Sequence, residues 1–227
     1  MNYVGFSSPV WTWLRKEHEH VPGFGLPVPL PRRSGPEAVR TMREFLGRFG
    51  WRAFSTSWNI LGSHDTPRIR TVTGSTQLHQ VAAGLQFTLP GVPMVFAGDE
   101  IGLKGVNGED SRRPMPWDDR GSWDEATLST YSSLTRLRRS HVALRRGGLR
   151  WAHISDNALV YLHEHPERSV LVAASRGGAE PVTLPTGPLG LRHGGVLFST
   201  TDEMELVRDE AMVTVPLGDA AFTVYAL

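Results

Sequence analysis

Two unlike segments are expected in this chain: an α/β segment over residues 1–147 and an all-β segment over residues 148–227. Before residue 147, apolar runs short enough for buried strands alternate with stretches of helical period, the pattern of βα units that build a parallel sheet. Beyond it helical period disappears. Short apolar runs then recur between Gly, Pro, Asp and Asn, as in an antiparallel β-sandwich. A length of 227 residues suits one large domain or two small ones.

Taken in order, the first strong element is a helix over residues 36–49. Val39, Met42, Phe45, Leu46 and Phe49 form one stripe, Ser34 can cap it, Pro36 suits its first turn, and Gly50 can end it. Ser57 to Ser63 holds an apolar centre of strand length. A second helix follows Ser75, with Leu78, Val81, Ala82 and Leu85 on one face and Leu89-Pro90-Gly91 closing it. Val92 to Ala97 is again strand-like. A third helix runs from Glu125 to Leu144, marked by Leu128, Tyr131, Leu134 and Leu137. The prolines at 22, 27, 29 and 31 predict a long, stiff surface loop between Val21 and Gly35. In the second segment the runs ALVYLHE, RSVLVAAS, EPVTLP, GVLFST, AMVTVPL and AFTVYAL read as short strands.

Composition narrows the function classes. Lys and Arg number 24 against 23 Asp and Glu, a formal charge of +1, which argues against a dedicated nucleic-acid or anionic-membrane binder. Cysteine is absent, which removes disulfide scaffolds, thiolate zinc sites and thiol nucleophiles. No apolar run reaches the roughly 18 residues of a membrane span. The N-terminal stretch lacks a basic region followed by an apolar one, so no signal peptide is read there and a cytoplasmic location is expected.

Polar residues cluster where strands end. Gly62-Ser63-His64-Asp65-Thr66-Pro67-Arg68 follows one apolar run, and Gly98-Asp99-Glu100 follows another. In parallel α/β folds the C-terminal strand ends form the ligand face. His64 beside Asp65 can be a charged site, with imidazole donating to a substrate oxygen and carboxylate stabilising positive charge. It can equally be a strand-terminating turn with Asp65 capping the next helix.

These residues carry a resemblance. Leu61 to Arg68, LGSHDTPR, resembles the fourth conserved region of the α-amylase superfamily, glycoside hydrolase family 13. Phe87 to Gly102 resembles that family's eighth strand and its approach, and Glu109 to Trp117 the loop that follows. Met1-Asn2-Tyr3 with Val10 to Leu14 resembles the segment around strand six. The match runs in register over about residues 1–145, nearest to the neopullulanase, maltogenic amylase and α-glucosidase group.

The resemblance implies the C-terminal part, about strands six to eight, of a TIM (β/α)8 barrel followed by an antiparallel β-sandwich. It implies retaining cleavage or transfer at α-1,4 or α-1,6 glucosidic bonds of maltodextrin-like substrates. Asp65 matches the family's third carboxylate, whose role is to favour the distorted, oxocarbenium-like sugar. His64 matches the His that binds the same sugar, and Arg112, in preference to Arg113, an Arg that helps hold the non-reducing sugar ring. Asp110 is expected to orient that Arg, Arg68 to join the substrate-binding residues, and Trp117 to stack on sugar. Strands one to five, with the nucleophilic Asp and the acid/base Glu, have no counterpart in these residues. The chain is therefore expected to be a gene fragment, a truncated reading frame or one half of a split enzyme, inactive alone and poorly soluble or partly molten. A non-catalytic maltodextrin-binding module is the alternative, or a subunit that pairs as a dimer or completes a barrel with a partner chain supplying strands one to five. No cofactor is expected, and calcium, which family members often hold, is not supported by these residues.

Other features have bland readings. His18 and His20, and His163 and His165, form H-x-H pairs read as solvent-exposed rather than zinc-binding. Glu17 and Glu19 fall in a solvated charged run. Arg136, Arg138, Arg139, Arg145 and Arg146 are read as the outward face of the third helix. Trp11, Trp13 and Trp58 are expected in the core.

Overall fold

A computed structural model of the protein describes residues 1–16, 22–23, 26–191, 194–202 and 204–227. Glu17 to His20 lie outside the described residues, so the reading of that charged run is left as it stands.

The chain opens as helix. A π-helical stretch over Tyr3–Ser7 runs into α1, Ser8–Leu14. This corrects the expected third parallel strand: among the described residues the α/β segment has two. The Asn2 side chain accepts from the Gly5 amide, and Pro9 sits in the first turn of α1. Every residue from Pro9 to Leu14 is buried, so no polar face marks the helix in sequence. Trp11 Nε1 donates to the Leu61 carbonyl and Trp13 Nε1 to that of Asp156, each 2.9 Å.

Pro22–Gly23 (β1) and Leu26–Pro29 (β2) pair antiparallel, where a plain loop was expected. The helix α2 covers Gly35–Leu46 and begins with a full capping box, Ser34 with Glu37. It stops short of the expected Phe49. Gly47 takes the cap position and Gly50 opens a new short helix, α3, Trp51–Ser55.

Strand β3, Trp58–Ile60, is followed by α4, Ile69–Thr73, and α5, Thr76–Thr88, which lead into β4, Val92–Met94. β3 and β4 are parallel, with Trp58 opposite Val92 and Ile60 opposite Met94. Buried Gln86 on α5 fastens the pair by donating to the carbonyls of Asn59 and Met94. Trp58 is half exposed at this pair, against the core position expected of it, and Val92 and Val95 are also exposed.

After β4 the chain runs through short turns to α6, Glu125–Ser140, and α7, Ala143–Arg146. Arg138 does not face outward as expected, since its guanidinium donates to the carbonyls of Phe87 and Gly91. Asp124 caps α6 and meets Arg70 at 2.6 Å, and Arg70 also donates to the His79 ring. Tyr131 reaches the other nitrogen of His79, completing a buried polar network between α4, α5 and α6.

From Gly148 onward the structure is mainly strand: β5 (Gly148–Ile154), β6 (Ala158–Glu164), β7 (Val170–Arg176), β8 (Val182–Pro185), the short helix α8 (Thr186–Leu189), β9 (Val196–Ser199), β10 (Val207–Arg208), β11 (Met212–Val215) and β12 (Ala220–Ala226). One antiparallel sheet has the order β5-β6-β7-β12-β9, and a smaller one β10-β11-β8. Ala158, Val160 and Leu162 of the large sheet share a core with Val213 and Val215 of the small one. Its other face, through Tyr161, Val172, Phe222 and Val224, shares a core with α5 and α6. His163 is buried, against the exposed position expected for it. It lies in a strand covered on both sides.

The two segments are thus one packed body. Gly84 of α5 lies so close to Phe222 that a Cβ there would stand 2.4 Å from the ring. Thr88 and Tyr161 hydroxyls meet at 2.6 Å. Arg176 of β7 donates to the carbonyls of Trp13 and Arg33.

Candidate active site

The loop after β3 is built as a tight turn. The Ser63 amide donates to Thr66 Oγ1, and the Asp65 amide to Ser63 Oγ. Thr66 and Ser63 are buried while His64 and Asp65 point outward, each side chain 64% exposed. His64 Nε2 and Asp65 Oδ2 are 3.3 Å apart. The cap of α4 is Arg68, not Asp65, which removes the reading of Asp65 as a helix cap.

Arg112 arrives from the turn Asp110–Arg112 after β4. Its Nε donates to the His64 carbonyl at 2.9 Å, and its Nη2 lies 3.4 Å from Asp65 Oδ1. Glu109 approaches the same guanidinium at 3.5 Å, a contact the sequence did not announce. Gly108 permits the approach, because a Cβ there would lie 3.0 Å from the Asp65 and His64 backbone. His64, Asp65 and Arg112 therefore form one cluster. These groups are exposed, so solvent screens their mutual attraction, and the carboxylate stays open to a ligand.

Asp110 does not orient Arg112. Its carboxylate takes Arg113 at 2.5 Å and the Val106 amide at 2.8 Å. The bond from Arg113, then that from Val106, hold its carboxyl below the usual range. The expected role is corrected because the turn carries Arg113, not Arg112, back over Asp110.

Arg68 is also corrected. Its side chain is 2% exposed and cannot touch a substrate in solution. It donates to Ser111 O through Nε and Nη2, to Ala97 O and Asp99 Oδ1 through Nη1, and lies over the Phe96 ring. It joins the loop after β3 to both stretches after β4. Asp99 Oδ2 in turn stands where a Cβ on Gly62 would fall, 2.6 Å away. Sequence reasoning missed this pair: 31 positions separate its members, and nothing local marks a buried ion pair.

Trp117 is exposed, and its ring packs edge-on to Trp123 at 6.1 Å. Arg120 covers that second ring at 4.2 Å. Glu100 folds back to accept from the Gly98 amide. Among the described residues no group of three or more His, Asp and Glu is gathered as for a metal ion. No helix is long and apolar enough to cross a membrane among those residues.

A parallel β pair joined by helices, with a carboxylate presented just past one strand, is the arrangement of an α/β fold that carries its ligand face at the C-terminal strand ends. Residues 38–131 match the family model of the α-amylase catalytic domain. The match bears out, over 94 of the 227 residues, the resemblance to the α-amylase superfamily read from the sequence. Neopullulanase 2 of Thermoactinomyces vulgaris is 37% identical over 105 residues, covering 46% of this chain and 18% of that protein. A cyclomaltodextrinase of Geobacillus thermopakistaniensis is 31% identical over 174 residues, covering 75% of this chain and 29% of that protein. The crystal structure of a debranching enzyme from Nostoc punctiforme superposes on the whole chain with a TM-score of 0.85 at 22% identity, and the chain covers 47% of it. The chain thus spans less than a third of these two curated relatives and about half of the debranching enzyme.

Proposed function

We propose that this chain is the C-terminal part of a retaining α-glucan glycosidase. Residues 1–147 supply strands seven and eight of its barrel as β3 and β4, with the helices around them, and residues 148–227 form its β-sandwich domain. Its substrate is a maltodextrin-like glucan with α-1,4 or α-1,6 bonds. Asp65 stabilises the oxocarbenium-like transition state, His64 donates to the same sugar, and Arg112 binds toward the non-reducing end. Trp117 offers a stacking face. One observation carries this reading: Arg112 closes on both the His64 carbonyl, 48 residues away, and the Asp65 carboxylate, 47 residues away.

Retention needs a nucleophile and an acid/base about 5–5.5 Å apart. Glu100, spent on the Gly98 amide, is a poor candidate for either. Both carboxyls then come from a stretch equivalent to strands one to five, in the same polypeptide or in a partner chain. The exposed Trp58, Val92 and Val95 beside the parallel pair favour such a cover. No cofactor enters, since the retaining route runs through carboxyl groups. Cytoplasmic glucan metabolism is the setting we assign.

Maltoheptaose turnover by the 227 residues alone, and by the same residues with the barrel strands supplied, tests this. Sugar release only in the second case, lost on Asp65→Asn, supports it. Release by the 227 residues alone overturns the need for a supplied pair. Binding without release in both cases makes the chain a glucan-binding module.

A further inference from the structure

A cleft remote in sequence from the His64 loop carries unbalanced positive charge. It opens between α3, the turn before β4, and the α7–β5 junction, and encloses about 190 Å3. Several waters, each taking about 30 Å3 of liquid, would fill that space. Trp51, Ser55, Arg145, Arg146 and His163 contribute to its lining, and no Asp or Glu does.

Among the described residues the cations there have no carboxylate partners. Among the described residues neither Arg145 nor Arg146 pairs its guanidinium with any group. Arg138, next to Arg145, spends its donors on the carbonyls of Phe87 and Gly91. Burial first, and then the charge of Arg145, lower the Arg138 guanidinium to about 10. Like charges without a counter-ion are costly, and an anion relieves the cost.

His163 adds a donor. It is 1% exposed, and neither ring nitrogen makes a well-formed hydrogen bond. Burial, then the charge of Arg138, holds the ring neutral, so it carries one N–H, which it shares with the nearby backbone of Gly147 and Thr88. Glu164 faces away and is taken by Arg150 at 2.8 Å.

We propose that this cleft binds a phosphate-class oxyanion, held by the Arg145 and Arg146 guanidiniums over the His163 ring. Guanidinium forks match tetrahedral oxyanions in geometry as well as charge. The source can be free phosphate or the phosphate of a sugar, whose ring would lie on the half-exposed face of Trp51.

Calorimetric titration of the protein with sodium phosphate, at constant ionic strength set by sodium chloride, tests this. Saturable binding is expected, weakened about tenfold or more by R145A/R146A and unchanged by R139A. The paired variant alters exposed side chains only and should keep its melting temperature, so a loss of binding reports on the cleft. Glucose 1-phosphate binding more tightly than phosphate, with the gain lost in W51A, points to a sugar phosphate. Equal affinities point to the free ion. A response no different from that to chloride, full binding by R145A/R146A, or glucose binding as tight as glucose 1-phosphate would overturn the proposal. So would a site open only to an acidic peptide and closed to phosphate.

Discussion

Arg68 and Asp99 meet at 3.0 Å with each side chain only 2% exposed, directly beneath the turn that presents His64 and Asp65. The pair holds three chain segments together, because Arg68 also satisfies the carbonyls of Ala97 and Ser111. Removing Arg68 leaves all three acceptors buried and unmet. Arg68→Met should cost about 3–5 kcal/mol. In a double-mutant cycle by urea unfolding, R68M/D99L should cost less than the sum of its single variants. Additive costs would show that the pair is not coupled.

The charge state of Asp99 adds a pH dependence with a definite sign. Burial pushes its carboxyl up to about 7, with Arg68 pulling the other way. A raised folded value means that the group contributes most below its unfolded value near 4, and that this contribution fades as pH rises through 7. Melting curves of the wild type and Asp99→Asn between pH 4 and 8 should therefore shift in favour of the variant as pH rises. A constant difference would place the titration elsewhere.

Two buried histidines act in the opposite sense. Burial, then Arg70, lowers His79 to about 3, and burial, then Arg138, lowers His163 to about 4. Both are depressed, so their contribution is whole above pH 6.5 and is lost as pH falls toward 4 and 3. Asp124 adds to the loss at lower pH. Against the penalty of partial burial, bonds from Arg70, the Thr127 amide and Thr76 hold its carboxyl well below the usual range. His79→Gln should flatten the fall in stability between pH 6 and 4. An unchanged slope in that variant would remove His79 from the account.

The contact of Gly84 with Phe222 makes the α/β and β segments interdependent. Gly84→Ala should cost about 1–3 kcal/mol by overpacking, and G84A/F222L should recover part of it. Tryptophan fluorescence and far-ultraviolet circular dichroism should report one shared unfolding transition in the wild type. Two separate midpoints would mean that the segments melt independently.

In the assembled glycosidase we propose, Asp65→Asn should lower kcat about a hundredfold or more and leave KM nearly unchanged, since the contact strengthens in the transition state. Arg112→Ala should mainly raise KM for maltodextrins. Equal losses in kcat and binding for Asp65→Asn would remove the assigned role.

Elements whose signals are local could be read directly. The capping box of Ser34 and Glu37 and the stripe of α2 are written within a few residues, as is the cap Ser75 of α5. The Trp11 to Leu14 stretch was not legible as helix, because burial on every side erases the polar face that sets a period. In the site, the HD pair and the Arg112 turn stood out as motifs, yet the partners of each Arg did not. Asp110 meets Arg113, three positions on, and Arg112 reaches Asp65, 47 positions away, whereas the resemblance had paired Asp110 with Arg112. Arg68 looked like a ligand-binding cation and is a buried strut.

The amino-acid order was sufficient for the alternation of strand and helix before residue 147, for the short strands after it, and for the kinship carried by LGSHDTPR. Those follow from short-range preferences and from residue types at fixed spacing. Folding settled which cations are buried, which carboxylate each of them meets, and that α5 and the large sheet share one core. Such outcomes depend on desolvation and on contacts between positions far apart in the chain, as Gly84 and Phe222 are, and no local pattern encodes them.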